Sequence, residues 1–128
     1  MAAAMGPCHD VFVPTVLIVD DHPTFRATAH ALLEAEGFDV VGEAADGASA
    51  LEEAERLRPD VILLDVQLPD IDGFEVAARL SADGLETRIV LVSSRDGSDF
   101  GPLVERSGAV GFIPKAELSG AALSKLLS

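Results

Sequence analysis

A chain of 128 residues, 48% of them apolar, falls within the usual size of one domain and can bury one substantial core. Its formal charge of −13, from 22 acids against nine Lys and Arg, would be repelled by a phosphate backbone, so direct nucleic-acid binding by this segment is not expected. No apolar run approaches the roughly 20 residues a membrane span needs, and Met1-Ala2-Ala3-Ala4-Met5 has no basic residue ahead of a hydrophobic stretch; both exclude a membrane or secretory reading and leave the cytoplasm as the default.

Residues 1–14 read as a flexible leader ending at Pro14, and Cys8 within it, the single cysteine, reads as an incidental thiol with no partner for a disulfide. The domain proper is expected over 15–128. Thr15-Val16-Leu17-Ile18-Val19 predicts a buried strand that closes on Asp20-Asp21-His22-Pro23. Pro23 suits the first turn of a helix, and Phe25, Ala29, Leu32 and Leu33 then recur at helical spacing up to Gly37. Phe38 to Glu43 predicts a short second strand, and Ala48, Leu51, Ala54 and Leu57 mark a helix ended by Arg58-Pro59.

Val61-Ile62-Leu63-Leu64 lies between Pro59 and Pro69 and suits a third strand buried on both faces, with Asp65 at its carboxyl end and the turn residues Pro69, Asp70, Asp72 and Gly73 close behind. A helix is expected from about Gly73 to Ala82, with Phe74, Ala77 and Ala78 on one side. Arg88-Ile89-Val90-Leu91-Val92 makes a fourth strand ending in Ser93-Ser94, and a weaker helix, broken by Gly101-Pro102, leads to Gly108. Val110-Gly111-Phe112-Ile113 is the fifth strand and Glu117 to Leu127 the last helix. Strict alternation of strand and helix implies an α/β sandwich with a parallel sheet covered on both faces.

In such a sheet Asp20, Asp21, Asp65, Ser93 and Lys115 all come at or just past strand carboxyl ends, the edge where ligands bind. Each pair of carboxylates 4 Å apart costs about 4 kcal/mol at an effective dielectric of 20, so the cluster demands a cation. A few oxygen ligands suit Mg²⁺, which keeps several waters and bridges to phosphate. One metal, one ammonium, one hydroxyl and one carboxylate nucleophile equip an edge to accept a phosphoryl group as an aspartyl phosphate.

Asp20-Asp21, Asp65 within Leu-Leu-Asp-Val-Gln-Leu-Pro-Asp-Ile-Asp-Gly, Ser93 after Ile89-Val90-Leu91-Val92, and Phe112-Ile113-Pro114-Lys115 together resemble the receiver domain of two-component response regulators, from about Thr15 to the end of the chain. The resemblance implies a flavodoxin-like doubly wound (βα)5 fold with sheet order 2-1-3-4-5. It implies that Asp65 takes a phosphoryl group from a sensor histidine kinase or a phosphotransfer protein. Asp21 and Asp65 would ligate Mg²⁺, Asp20 would hold the metal largely through water, and Gln67 would offer its backbone carbonyl. Ser93 matches the switch hydroxyl, Lys115 the lysine that contacts phosphoryl oxygens, and Phe112 the switch aromatic. Gln67 and Arg95 would flank the path of the hydrolytic water. A conformational change would control an output, transcription if a C-terminal DNA-binding domain exists and protein–protein signalling otherwise, and a phosphorylation-dependent homodimer is compatible with this class. The domain is a phosphoacceptor, not an enzyme acting on other molecules.

Each residue also has a plainer reading. Asp20 or Asp21 alone could cap the helix that starts near Pro23; Ser93 could simply end a strand; Lys115 could be a solvated lysine; and Phe112 could be core. His9, His22 and His30 form no ligand spacing and read as structural or incidental. An aspartate-nucleophile phosphatase would want a second Asp where Gln67 stands, and a nucleotide-binding module would want glycines where Asp20-Asp21-His22-Pro23 stands. A phosphorylation-independent interaction domain on the same fold is the alternative, against which the complete acidic set argues. Ala116 follows Lys115 where many family members have Pro, so a cis bond there would cost roughly 3 kcal/mol. The motifs most resemble regulators with a C-terminal helix-turn-helix, and a chain ending at Ser128 reads as either a fragment of one or a stand-alone receiver.

Overall fold

The structure, a computed structural model, describes residues 13–94 and 100–127. Five strands form one sheet: β1 Thr15–Val19, β2 Asp39–Ala44, β3 Val61–Asp65, β4 Arg88–Ser93 and β5 Gly111–Pro114. Every pairing is parallel, and the spatial order is β2-β1-β3-β4-β5, the expected flavodoxin-like arrangement. The helices are α1 Pro23–Ala35, α2 Gly47–Leu57, α3 Gly73–Ala82, α4 Gly101–Ser107 and α5 Gly120–Leu127.

Alternation along the strands divides the core in two. Val16, Ile18, Leu63, Val90 and Val92 point to one face and pack with Ala29 and Leu33 of α1 and Leu123 of α5. Leu17, Val19, Ile62, Leu64 and Leu91 point to the other and meet Ala50 and Ala54 of α2 and Val76, Ala77 and Leu80 of α3. The central strand β3 is buried along its whole length, as a strand between two helical layers must be.

Element boundaries depart from the sequence reading in places where capping decides them. The second strand runs Asp39–Ala44 because Phe38 still belongs to the helix end: its N–H donates to the Leu33 carbonyl at 3.0 Å, across Gly37 at φ 96°. Gly101-Pro102 opens α4 and does not break it, since proline in a first turn loses no hydrogen bond. The last helix starts at Gly120, not Glu117. Lys115–Glu117 forms a separate 3₁₀ turn, Leu118 is extended, and the Ser119 hydroxyl accepts from the Ala122 N–H at 3.0 Å as an N-cap. No peptide bond is cis among the described residues, so Lys115–Ala116 is trans. The leader residues 1–12, Arg95 and the glycine-rich segment 96–99 lie outside the described residues.

Candidate functional site

The carboxyl edge of the sheet gathers the acidic residues. Asp20 follows β1 directly and is held by backbone: its N–H donates to the Ala44 carbonyl at 3.0 Å, and its own carbonyl accepts from the Arg26 guanidinium at 2.6 Å. Its side chain is fully buried, 0% exposed, with Oδ1 accepting the His22 N–H at 2.8 Å. That bond is a turn from a side chain to the backbone two places on; the N-cap of α1 is His22 and the helix has no side-chain cap, so the plainer reading of Asp20 or Asp21 as a helix cap is not met. Asp21 faces solvent beside it.

Asp65 closes β3 and is only 2% exposed. Its Oδ1 accepts the Gln67 N–H at 3.2 Å and its Oδ2 accepts from Lys115 Nζ at 3.4 Å, two long hydrogen bonds, one to each oxygen. Burial pushes its carboxyl above the ordinary range; the Gln67 N–H opposes this, the Asp20 charge adds to it, and Lys115 opposes it again. Gly73 allows the loop after Asp65 to fold back. A Cβ there would overlap the Asp65 carbonyl oxygen and lie 2.8 Å from Val66 Cα, and the Gly73 N–H donates to the Val66 carbonyl at 2.7 Å.

Lys115 follows β5 directly and leans towards Asp20: its Nζ is 2.6 Å from Asp20 Oδ2 and 3.4 Å from Asp65 Oδ2. The ammonium also lies 4.6 Å from the centroid of the Phe25 ring on α1, within cation–π range. The short contact with Asp20 is an ion pair that lacks hydrogen-bond geometry, which leaves Oδ2 buried with charge compensation and no donor.

Ser93 ends β4 at the same edge, 1% exposed. Phe112 on β5 is half-buried, its ring tilted against Phe100 with centroids 5.7 Å apart, and Phe100 in turn lies 5.5 Å from Phe74 of α3. Gln67 contributes a backbone N–H to Asp65 and turns its side chain to solvent. A separate cavity of about 620 Å³, lined by Pro14, Phe38, Val61 and Arg88 among others, opens where the strands begin and has no part in this cluster.

His22, read from sequence as structural or incidental, lies beside the cluster: its ring nitrogen and carboxylate oxygens of Asp20, Asp21 and Asp65 are all within 4.8 Å of one another. Its place directly after the two aspartates was the available signal. Phe25 and Arg26, which orient Lys115 and the Asp20 backbone, carried no such signal, because helical periodicity alone assigns them to a helix face.

Over residues 16–127 the chain matches the family described as the response regulator receiver domain. The chain belongs to that family. Among curated relatives of this receiver domain, a transcriptional regulator of Pseudomonas aeruginosa is 44% identical over 102 residues, covering 80% of this chain and 49% of the relative. The nitrate/nitrite response regulator NarP of Escherichia coli is 42% identical over 102 residues, covering 78% and 47%. The receiver domain thus spans about half the length of the curated relatives it matches. Among solved structures, the signal receiver domain of the response regulator NarL from Mycobacterium tuberculosis superposes with a TM-score of 0.82 at 36% identity, covering 92% of this chain and 99% of that one. The response regulator domain of Thermotoga maritima CheB gives 0.80 at 30% identity, covering 91% and 95%. No described helix of this receiver domain is long and apolar enough to cross a membrane.

Proposed function

We propose that this receiver domain accepts a phosphoryl group on Asp65 from the phosphohistidine of a sensor kinase or phosphotransfer protein, and that the resulting acyl phosphate switches an output. The observation that carries the reading is the state of Asp65: a buried carboxylate at a strand end, held only by two long hydrogen bonds, from the Gln67 N–H at 3.2 Å and the Lys115 ammonium at 3.4 Å. An Asp65 oxygen attacks phosphorus, the P–N bond to the donor histidine breaks, and the departing imidazole keeps the electron pair and takes up a proton. Lys115, already within reach of both buried carboxylates, meets the negative oxygens that arrive. Ser93 is placed at the neighbouring strand end to donate its hydroxyl to one of them.

The donor set fits a hard divalent cation. Asp20 Oδ2 is buried without a hydrogen-bond donor, and oxygens of Asp20, Asp21 and Asp65 crowd together. Mg²⁺ held there would compensate these carboxylates and the charge of the transferred group, with the Gln67 carbonyl as a further oxygen. Phe112, tilted against Phe100, would report the switch by turning when Ser93 draws inward, and Gln67 with Arg95 would govern the lifetime of the acyl phosphate. By analogy with the transcriptional regulators it resembles, the domain would act in the cytoplasm through a DNA-binding output, with a phosphorylation-dependent homodimer as the means. Acetyl phosphate or a reactive histidine kinase should label the wild type and leave Asp65→Asn unlabelled. Labelling that survives this substitution refutes the assignment.

A further inference from the structure

Lys115 Nζ meets Asp20 Oδ2 at 2.6 Å, Asp65 Oδ2 at 3.4 Å and the face of the Phe25 ring, whose centroid is 4.6 Å away. The function proposed above commits both carboxylates elsewhere, Asp20 to a cation and Asp65 to a phosphoryl group. The ring takes part in neither. Phe25 lies in the first turn of α1 and packs against the core that holds Val16, Ile18, Ala29 and Ile113, so its place is fixed by burial. The Lys115 side chain is 14% exposed, so an ammonium that leaves the ring has water to go to. Attraction of a cation to the ring quadrupole extends to about 6 Å and lacks the angular demands of a hydrogen bond, so the ammonium can slide over the face and keep it. Arg26, the next residue, donates from Nη1 to the Asp20 carbonyl and from Nε to Glu43 Oε1. One turn of α1 thus holds the Asp20 backbone with Arg26 and the ammonium with Phe25.

We propose that Phe25 is a positioning residue for phosphoryl transfer: its ring face keeps the Lys115 ammonium in the site while Lys115 passes from the ion pair with Asp20 to the oxygens of a phosphoryl group on Asp65. The inference rests on the reading of Asp65 as the phosphoacceptor and adds to it a residue that touches neither the phosphoryl group nor a metal. Losing the ring frees Lys115 to turn to water once Asp20 no longer holds it, and transfer then proceeds with its cation displaced.

Labelling by acetyl phosphate is timed in the full chain as wild type, Phe25→Leu, Lys115→Ala and the double variant, and the side-chain methylene resonances of Lys115 are recorded where the lysine is kept. Phe25→Leu keeps apolar bulk against the core and removes the ring face. A trifluorinated phenylalanine at position 25 keeps the shape of the ring and drains its face of negative charge, and it replaces the leucine variant if that one folds poorly. Either change should slow labelling about fivefold where Lys115 is present, and less than about twofold in the Lys115→Ala background. The Lys115 methylene protons next to the ammonium, shifted by the ring current in the wild type, should move towards the values of an exposed lysine in Phe25→Leu. Equal slowing in both backgrounds, or unslowed labelling in Phe25→Leu, overturns the role of Phe25 alone. If the wild type takes no label, or Asp65→Asn takes as much, the reading of Asp65 falls and this one with it.

Discussion

Asp60 and Asp65 stand at opposite ends of β3, and their surroundings differ in kind. At the amino end Asp60 has one oxygen closely held: Oδ2 accepts the Thr15 N–H at 2.8 Å and the Thr15 hydroxyl at 3.0 Å, while its own N–H donates to Thr15 Oγ1 at 2.9 Å. That reciprocal set ties the start of β1 to the start of β3, and the Arg88 N–H closes it by donating to the Asp60 carbonyl at 3.0 Å. At the carboxyl end Asp65 is more deeply buried and less well supported, with Asp20 close by as a like charge. A fold can satisfy a half-buried carboxylate with the donors of its own strands, as it does at Asp60. Asp65 has as many contacts, but they are longer, at 3.2 and 3.4 Å, which costs stability in a more deeply buried carboxylate; under the function proposed above, that loose hold leaves its oxygens open to an incoming electrophile.

The sharpest way to break the contrast is at Gly73. Gly73→Ala forces a methyl group into the Asp65 backbone, so we expect a loss of about 3 kcal/mol in unfolding free energy together with displacement of the site. Denaturant melts and the amide shifts of Asp65 and Val66 check both. Next in size is ligand linkage. Mg²⁺ at a hundred times its dissociation constant should stabilise the wild type by about 2.7 kcal/mol, and Asp65→Asn measurably less; equal stabilisation would place the ion elsewhere.

Substituting the two aspartates should then give opposite signs. Asp60→Ala strands the Thr15 N–H and should cost about 2 kcal/mol, whereas Asp65→Asn in metal-free buffer should gain about 1 kcal/mol at neutral pH by removing an under-paired charge. The pH dependence of the gain has a defined direction. Because the folded state raises the Asp65 pKa, the native protein binds more protons than the unfolded chain above the unfolded value of 3.8, so wild-type stability relative to Asp65→Asn falls as pH rises through the raised pKa. A gap between the two proteins that does not widen with pH would contradict the raised pKa.

The smallest effect belongs to Asp70, whose carboxylate accepts the Gly47 and Ala48 N–H groups at 2.8 and 3.0 Å and so caps α2 from the loop after β3. Those N–H groups hold its pKa below the usual carboxylate range. Its contribution is therefore present above the unfolded value of 3.8 and lost as pH falls through the lowered one. The difference in melting temperature between wild type and Asp70→Asn should shrink over that acid limb and stay constant at neutral pH.

Local pattern was sufficient for most of this molecule. Apolar runs determined β1 and β3 to the residue, period and punctuation determined α2 and α3 closely, and parallel alternation brought Asp20, Asp21, Asp65, Ser93 and Lys115 to one edge. What tertiary structure alone decided has a common cause. At the start of α5, which Ser119 caps locally, the Gly120 N–H is also taken by the Glu36 carboxylate at 2.9 Å, and Gly120 leaves no room for a Cβ against Glu36. The lean of Lys115 towards Asp20 rather than Asp65 and the clearance Gly73 gives Asp65 are likewise set by atoms from separate elements. Periodicity records which face a residue occupies, because burial is averaged over several turns or pleats. Which donor reaches which oxygen is a matter of ångströms between elements remote in the chain, and no local pattern encodes it.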